Sequence, residues 1–294
     1  MSYQTITYES RDRVAVITLN RPEKYNTIRA PMPDEVEAAL GEANRARNVR
    51  VILLQGAGKS FCGGFDFSGG LEHFEEYGIP TKPGEYDPGL DMLAALNPWT
   101  APTQKFLSIW KSPKPVVVKV QGWCVGGGSE YALLGDIVMA SDDARFGTPY
   151  SRVWGCHLTA MWVYRLGLAK AKHYALTGRS ISGKEAAEIG LINFAYPQER
   201  LDSEVSAYVE ELASIPVTQL AAMKFITNQV YDRLGVQHTS LIGPVFDSVM
   251  RNTREAHEFV RVAKEDGVGA AVAMRDGPFG DYSQGSREMK PKIY

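Results

Sequence analysis

The first two hundred residues alternate between hydrophobic runs typical of strands and apolar positions repeated at helical spacing. The segments RVAVITLN (13–20) and VRVILLQG (49–56) are rich in β-branched residues and predict strands. Between them the pattern predicts a helix near 34–46, with one apolar face formed by Val36, Ala39, Leu40 and Ala43. Strand–helix–strand order favours parallel pairing, so this part of the chain is predicted to form an α/β fold.

A third hydrophobic run, KPVVVKVQG, hardly alternates, which is typical of a strand buried on both faces of a sheet. This strand is expected to end near Gly122. After three consecutive glycines, the segment SEYALLGD is rich in helix-forming residues and stops at Gly135, before the strand-like run IVMAS. The glycines therefore lie at a strand-to-helix turn, and Glu130 falls in the first turn of the predicted helix.

The segment 68–98 has a different composition from the runs on either side of it. It contains five glycines and four prolines, and these residues interrupt any strand or helix pattern. We interpret it as a long loop with no core element. Loops of this length often act as lids over a binding site.

The pattern changes again in the last third of the chain. Ser182 and Glu185 form a capping box that predicts the start of a helix, and Gly190 predicts its end. From residue 202 onward apolar positions recur only at helical spacing. We therefore expect an α/β core over residues 1–201 and a helical C-terminal region over residues 202–294.

Composition excludes several classes of protein. Hydrophobic residues make up 44% of the 294 residues, and 32 basic against 34 acidic side chains give a formal charge of −2. This balance argues against broad attraction to nucleic acid or an anionic membrane surface. No apolar run approaches the roughly 18 residues of a membrane helix, and the N-terminus lacks the features of a signal peptide. Cys62, Cys124 and Cys156 form no zinc or disulfide pattern, so we expect no metal site and a cytoplasmic protein.

Two glycine turns indicate where chemistry could occur. One is the stretch before Glu130; the other, in GKSFCGGFDFSGG, follows the strand that ends at Gly56. Glycine lets the backbone approach a ligand closely, and the first amides of a helix have no intrahelical partner. Two such turns could together present two amides to the oxyanion of a thioester enolate. The alternative is that the glycines serve only tight packing, with Glu130 as an ordinary first-turn residue that favours the helix dipole.

Several segments in consistent order, spanning roughly residues 5–200, resemble the crotonase family, the enoyl-CoA hydratases and isomerases. The resemblance is carried by ITLNRPEKYNTI, GAGKSFCGGFDF, KPVVVKVQGWCVGGGSEYALLGDIVMASDDARFGTP and LTGRSISGKEAAEIGLIN. It implies an α/β fold built as a spiral of ββα units, with a helical C-terminal trimerisation region. It also implies a homotrimer, or a hexamer assembled as a dimer of trimers, that binds an acyl-CoA thioester.

The resemblance further implies roles for individual residues. The amides of Phe65 and Gly127 would form the oxyanion hole, and Glu130 would occupy an acid/base position beside the reacting carbons. The coenzyme A site would include Lys24, Tyr25, Gly64 and Asp66, although Asp66 also suits a purely structural role. No separate cofactor is implied, because coenzyme A is part of the substrate.

The chain departs from the family pattern at a second acid/base position. Typical hydratases of the family use two glutamates, and the second of these corresponds to Tyr150 in RFGTPYSRVWG. A phenol with an ordinary pKa near 10 is a poor base at neutral pH, but it can donate a hydrogen bond. His157 lies where some members carry another catalytic group, so it is a candidate proton carrier. The alternative is that His157 only supports the helix that follows it.

Three hypotheses follow from these residues. The leading one is an enoyl-CoA hydratase-like lyase that acts on an acyl-CoA of the kind found in fatty acid metabolism. The second is an isomerase, or a hydrolase that cleaves a C–C bond of a β-dicarbonyl acyl-CoA, since an oxyanion hole serves any reaction through an enolate. The third is a non-catalytic or RNA-binding relative, which would require a basic surface that the sequence does not indicate.

Overall fold

The hydrophobic runs of the sequence form the central strands of the computed structural model, which describes residues 2–79, 81 and 87–282. Within these residues the strands are β1 (Ile6–Arg11), β2 (Val14–Leu19), β3 (Val51–Gly56), β4 (Val116–Val120), β5 (Trp123–Val125), β6 (Ile137–Ser141), β7 (Arg145–Gly147), β8 (Ile181–Ser182) and β9 (Phe194–Tyr196). The α-helices are α1 (Met32–Arg45), α2 (Pro88–Leu96), α3 (Pro102–Lys111), α4 (Gly127–Leu133), α5 (Met161–Leu166), α6 (Leu168–Thr177), α7 (Gly183–Glu188), α8 (Gln198–Ser214), α9 (Val217–Leu234), α10 (Val236–Met250), α11 (Arg254–Glu265) and α12 (Val268–Asp276).

Six of these strands form the main sheet, in the order β1-β2-β3-β4-β6-β9. β1 and β2 pair antiparallel, and every other neighbouring pair in this sheet is parallel. A smaller sheet has the order β5-β7-β8. The predicted strand–helix–strand unit is present, because α1 connects the parallel strands β2 and β3. The α/β fold class is therefore confirmed.

β4 hardly alternates in hydrophobicity because both faces of the sheet are covered. Val116 and Val118 pack into the larger hydrophobic core, whereas Val117 packs with Val51 of β3 on the other face. That second face is covered by Leu201, Val205 and Val209 of α8. Full burial of each such side chain contributes roughly 1.5–3 kcal/mol relative to exposure. The double burial holds β4 inside the main sheet, and the short strand β5 of the smaller sheet then leads into α4.

The segment 68–98 is more ordered than its composition indicates. It contains a 3₁₀ helix over Glu72–Tyr77, and α2 begins with Asp87 accepting hydrogen bonds from two backbone amides. Buried apolar side chains from both pieces form a small cluster of their own: Phe74, Tyr77, Ile79 and Ala94. The interpretation as a loop without core residues was wrong, because two short elements never produce a long periodic run. Residues 80 and 82–86 of this segment lie outside the described residues.

The chain after β9 consists of helices as far as Phe279, as predicted, and residues 283–294 of the predicted helical region lie outside the described residues. α10 packs against α2 and α3, and α11 packs against α12. A further cluster joins Phe259 of α11 to Phe67, which follows the Gly63–Gly64 turn, and to Trp154, which follows β7. The C-terminal helices therefore cover part of the α/β core instead of standing apart from it.

α9 leaves much of its apolar surface exposed in the single chain. The apolar positions Met223, Ile226 and Val230 are 62%, 59% and 59% exposed in the single chain. The buried position is Lys224, whose ammonium donates to Asp136 at 2.8 Å and to the carbonyls of Ile109 and Lys114. This buried ion pair and Leu220, which packs against the cluster shared by β3, β4 and α8, attach α9 to the core.

Candidate active site

A cavity of about 600 Å³ lies where the two glycine turns meet the 68–98 segment and the C-terminal helices. The first turn along the chain, at Gly63–Gly64, contributes Gly64 and Phe65 to the cavity wall. The second, before α4, contributes Gly126 and Gly127. α10 contributes Asp247 from the opposite part of the fold. The cavity thus brings together residues from both regions that the sequence separates at residue 202.

The two glycine turns lie against each other because both lack side chains at the point of contact. A Cβ on Gly64, where φ is +98°, would lie 2.9 Å from the carbonyl oxygen of Val125. A Cβ on Gly127 would lie 2.7 Å from the ring of Phe65. Backbone hydrogen bonds between Cys62 and the β5 strand hold the turns in register, with the Val125 amide donating to the Cys62 carbonyl at 3.1 Å. Any side chain larger than hydrogen at these glycines would separate the turns.

The amides of Phe65 and Gly127 are available to a ligand. Ile28 uses its own amide and carbonyl to pair with the residues on either side of Phe65, which leaves the Phe65 N–H without that partner. Gly127 is the first residue of α4, so its N–H has no acceptor within the helix. Among the described residues, neither amide has a hydrogen-bond acceptor. Both residues line the cavity, and together they can donate two hydrogen bonds to one oxyanion.

The carboxylate of Glu130 is enclosed. It has no exposed surface, and it does not line the cavity. Its Oε1 accepts from the Leu158 amide at 3.1 Å and lies 3.1 Å from His157 Nδ1. Its Oε2 accepts from the Thr159 amide at 3.1 Å and from the Thr159 hydroxyl. The structure therefore gives Glu130 four partners in residues 157–159, and its acid/base role stays a prediction of the family resemblance.

His157 is likewise directed to Glu130 instead of the cavity. Its side chain is 14% exposed, and it is not a cavity-lining residue. Its Nε2 is buried without a hydrogen-bond partner among the described residues. The ring contacts Tyr150 edge-on, with 6.1 Å between the ring centroids. His157 thus lies between Tyr150 and Glu130, and its role as a proton carrier stays a prediction.

Tyr150 does face the cavity. Its hydroxyl is buried and has no partner among the described residues, and it lies 3.9 Å from the point where a Cβ on Gly126 would be. Burial raises the pKa of this phenol well above its ordinary value, and the nearby carboxylates of Glu130 and Asp247 raise it further. At neutral pH the group is therefore a hydrogen-bond donor beside the two free amides, as its chemistry predicts from sequence.

The residues assigned to coenzyme A lie at one side of the cavity. Lys24, Tyr25 and Gly64 all line it, and the first two are exposed to solvent. Asp66 also lines it, but its carboxylate is occupied: Oδ2 accepts from Arg21 at 2.8 Å, and Oδ1 accepts from the Ser68 amide at 2.9 Å. Asp66 therefore fixes the first glycine turn, which is the structural role left open for it.

The pKa of Asp66 makes this role testable. Burial alone would raise the pKa, but the hydrogen bonds from Ser68 and Arg21 outweigh it and hold the pKa below the ordinary 3.8. A depressed folded-state pKa contributes stability above the unfolded-state value, and this contribution is lost as pH falls through the folded-state value. We expect Asp66→Asn to lower the free energy of unfolding at neutral pH by about 1–3 kcal/mol.

Urea denaturation of the wild type and Asp66→Asn, at steps from neutral pH to below pH 3.8, measures this effect. The difference between the two proteins should shrink at the acid end. A difference that stays constant over the whole range would contradict the assigned ion pair.

Sequence reasoning missed two charged residues of α10 and its C-terminus. Asp247 and Arg251 line the cavity, with side chains 20% and 9% exposed, and they form an ion pair at 3.2 Å. Arg251 also lies 3.4 Å from the buried carboxylate of Asp91 on α2. The available signal was an Asp and an Arg at i, i+4 spacing inside the otherwise apolar segment SLIGPVFDSVMR.

Residues 2–79, 81 and 87–282 contain neither a metal-binding cluster nor a membrane-spanning helix. No three His, Cys, Asp or Glu side chains in this part of the chain are grouped so that they could hold a metal ion. No helix found there combines the length and hydropathy needed to cross a membrane.

Comparison with known proteins identifies the family of the chain. Residues 9–258 match the family model described as Enoyl-CoA hydratase/isomerase. A probable enoyl-CoA hydratase of Rhodobacter capsulatus is 35% identical over 229 residues, covering 76% of this chain and 81% of that protein. The 1,2-epoxyphenylacetyl-CoA isomerase of Escherichia coli is 31% identical over 218 residues, covering 73% and 78%.

A solved structure extends the similarity to the whole fold. The crystal structure of an enoyl-CoA hydratase from Mycobacterium smegmatis has a TM-score of 0.86 and 39% sequence identity, and the match covers 96% of each chain. The resemblance found in the sequence segments is therefore confirmed over almost the full length. The chain belongs to the enoyl-CoA hydratase/isomerase family.

Proposed function

We propose that the chain acts on an unsaturated acyl-CoA thioester by hydratase-like chemistry, through an enolate whose oxygen accepts hydrogen bonds from the Phe65 and Gly127 amides. The observation that carries this proposal is the pair of unpartnered amides on the wall of one cavity. Donors that are already oriented towards the developing charge need no reorganisation during the reaction. Each such donor typically contributes about 10²- to 10³-fold to the rate.

The names of the relatives support a coenzyme A thioester as the substrate class. The matched proteins of R. capsulatus and E. coli are named for reactions of CoA thioesters. In this chain the exposed side chains of Lys24 and Tyr25 lie at the edge of the cavity, where an anionic nucleotide could bind. The reaction moves only protons and water, so it uses no cofactor beyond the coenzyme A within the substrate.

Tyr150 supplies a neutral donor beside the oxyanion hole. Its unpartnered hydroxyl faces the cavity next to Gly126, and its raised pKa keeps the proton on the oxygen. Such a donor suits an oxygen substituent of the acyl chain, for example the hydroxyl formed by hydration.

Isomerisation is the second candidate, and Tyr150 is the observation that favours it. Hydration with two glutamates divides the proton transfers between two carboxylates, and here one of those positions is a phenol that cannot act as the base. Moving a proton between Cα and Cγ needs only one base. The E. coli relative is named an isomerase, which also supports this candidate.

Two measurements test the proposal. Calorimetry should show that acetoacetyl-CoA binds more tightly than acetoacetate, because only the thioester reaches both the nucleotide site and the oxyanion hole. Incubation with a panel of enoyl-CoA thioesters, followed by mass spectrometry and NMR, should show either a gain of one water or a shifted double bond. Equal affinities for the two ligands, with no product from any thioester, would contradict the proposed function.

We also propose that the exposed apolar face of α9 contacts further copies of the chain in a trimer or hexamer. The exposed Met223, Ile226 and Val230 support this assembly, since large apolar patches usually mark protein interfaces. Sedimentation of the purified chain tests it, and a monomer at micromolar concentration would contradict it.

A further inference from the structure

We propose that Asp247 of α10 and Arg251 at its C-terminus together bind a hydroxyl group carried by the acyl chain of the substrate, on a carbon beyond Cβ. This inference rests on the proposed function and names its substrate class, a CoA thioester with a hydroxylated acyl chain. In this assignment the two residues determine specificity, and they bind the acyl chain away from the reacting carbons.

The cavity has an open edge and an enclosed part. Lys24 and Tyr25 lie at the open edge, where Tyr25 is 53% exposed. A thioester with its nucleotide at this edge would extend its acyl chain into the enclosed part. Aliphatic and aromatic side chains that are more than nine-tenths buried line that part: Phe74, Tyr77, Ile79, Ala94 and Ala95. Such a lining would suffice by itself for a hydrocarbon chain.

Arg251 adds a buried charge to this enclosed part. Its Cζ lies 5.6 Å from the centroid of the Phe74 ring, and its side chain is only 9% exposed. Its Nη2 pairs with Asp247 at 3.2 Å and lies 3.4 Å from Asp91, which does not line the cavity. Burying a charge is costly unless its hydrogen-bonding groups have partners. A cavity that needed only to hold hydrocarbon would have no use for this charge.

The ion pair on the cavity wall has unused hydrogen-bonding atoms. Arg251 Nε is buried without a partner among the described residues, and Nη1 donates to none of them. Asp247 Oδ2 accepts from Arg251, whereas no described residue donates to Oδ1. A hydroxyl both accepts and donates, so it can accept from the guanidinium and donate to Oδ1. A carbonyl oxygen could use only the donor, and a methylene group could use neither.

The local charge favours a neutral oxygen group over a carboxylate. One guanidinium lies between two carboxylates, those of Asp247 and Asp91. Burial raises the pKa of Asp91 to about 6, which leaves it mostly ionised at neutral pH. An acyl chain that ended in a carboxylate would bring a third negative charge to a single positive one. A hydroxyl brings no charge, and it matches both the free donor and the free acceptor.

Phe74 sets the distance from Arg251 to the first glycine turn. Its ring centroid lies 5.8 Å from that of Phe65, whose amide belongs to the proposed oxyanion hole. Because Arg251 Cζ lies 5.6 Å from the Phe74 centroid, the guanidinium is no more than about 11 Å from the Phe65 ring. An acyl chain of a few carbons can span this distance.

Tyr150 sets the distance from Asp247 to the second glycine turn. A Cβ on Gly155 would lie 3.0 Å from Asp247 Oδ1 and 2.9 Å from Tyr150 Cδ1, which places the carboxylate within about 6 Å of the phenol ring. The Tyr150 hydroxyl lies 3.9 Å from the position of a Cβ on Gly126. The ion pair thus reaches each glycine turn through one aromatic ring, which places the bound hydroxyl beyond Cβ.

Calorimetry with thioesters of equal chain length tests the inference on the wild-type protein. Hexanoyl-CoA is compared with its derivatives that carry a hydroxyl at C4, C5 or C6. We expect at least one hydroxylated thioester to bind about 10- to 100-fold more tightly than hexanoyl-CoA, the range of one or two hydrogen bonds to charged groups. Adipoyl-CoA, which ends in a carboxylate, should bind less tightly than that thioester. If hexanoyl-CoA or adipoyl-CoA binds as tightly as every hydroxylated thioester, the inference is overturned.

Variants of Arg251 test the residue assignment. Arg251→Met removes the donors, and Arg251→Lys keeps a positive charge beside both carboxylates in case the methionine variant does not fold. Because lysine lacks the planar fork of arginine, both variants should bind hexanoyl-CoA and the preferred hydroxylated thioester within about threefold of each other. A folded variant that keeps the full wild-type preference overturns the assignment.

Arg261→Met is the matched control. Arg261 also pairs with two carboxylates, Glu258 and Glu265, but it is 49% exposed on α11 and does not line the cavity. Its variant should keep the wild-type preference, and a loss equal to that of the Arg251 variants would overturn the assignment. A wild type that binds no acyl-CoA at all would instead contradict the proposed function, whereas one that binds hexanoyl-CoA without a preference for hydroxyl contradicts this inference alone.

Discussion

Gly127→Ala is expected to lower turnover about 10²- to 10³-fold in a protein that still folds. The added Cβ would lie 2.7 and 2.9 Å from two carbons of the Phe65 ring and 3.1 Å from Ile28 Cδ1. The ring must move, and Phe65 carries the other amide of the oxyanion hole. One methyl group therefore displaces both donors, and displacements of about 1 Å are enough for losses of this size.

Steady-state kinetics with a thioester found by product analysis measures the effect, and circular dichroism checks the fold. Gly277→Ala is the matched control, because a Cβ there meets nothing within 4 Å and the residue does not line the cavity. We expect that variant to keep wild-type kcat. A folded Gly127→Ala protein with wild-type kcat would show that the two amides do not hold the enolate.

Glu130→Gln is expected to lower the free energy of unfolding by about 2–3 kcal/mol. The carboxylate has acceptors only, and each of its oxygens faces two partners in residues 157–159. The amide nitrogen of glutamine is a donor. Whichever way the amide is turned, it presents N–H groups to backbone donors, of Leu158 on one side or Thr159 on the other, and leaves them unsatisfied in a buried site.

Urea denaturation measures this loss, and Glu188→Gln on the exposed surface of α7 is the control, expected to change stability by less than about 0.5 kcal/mol. The family resemblance leads to the opposite expectation, in which Glu130→Gln keeps full stability and loses activity as a missing base. A variant with wild-type stability and no turnover would assign the proton transfer to Glu130.

The two predictions separate what a local pattern can show from what it cannot. The turn before α4 was predictable, because glycines between a hydrophobic run and helix-forming residues are a signal within about ten residues. The helix start at Ser182 was predictable for the same reason. The Ser182 hydroxyl accepts a hydrogen bond from the Glu185 amide at 3.1 Å. The burial of Glu130 was not, because its partners lie 27 to 29 residues further along the chain.

The sequence by itself therefore determined the family, the parallel strands and the two glycine turns, since periodicity, glycine position and residue type are local properties. Only the tertiary structure decided which carboxylate faces the cavity. Residues 157–159 enclose Glu130, whereas α10 brings Asp247 to within about 6 Å of Tyr150, nearly a hundred residues earlier in the chain. The physical reason is that the exposure of a side chain depends on how elements distant in the sequence pack around it. The residue type alone does not show whether distant donors will hydrogen-bond to a carboxylate.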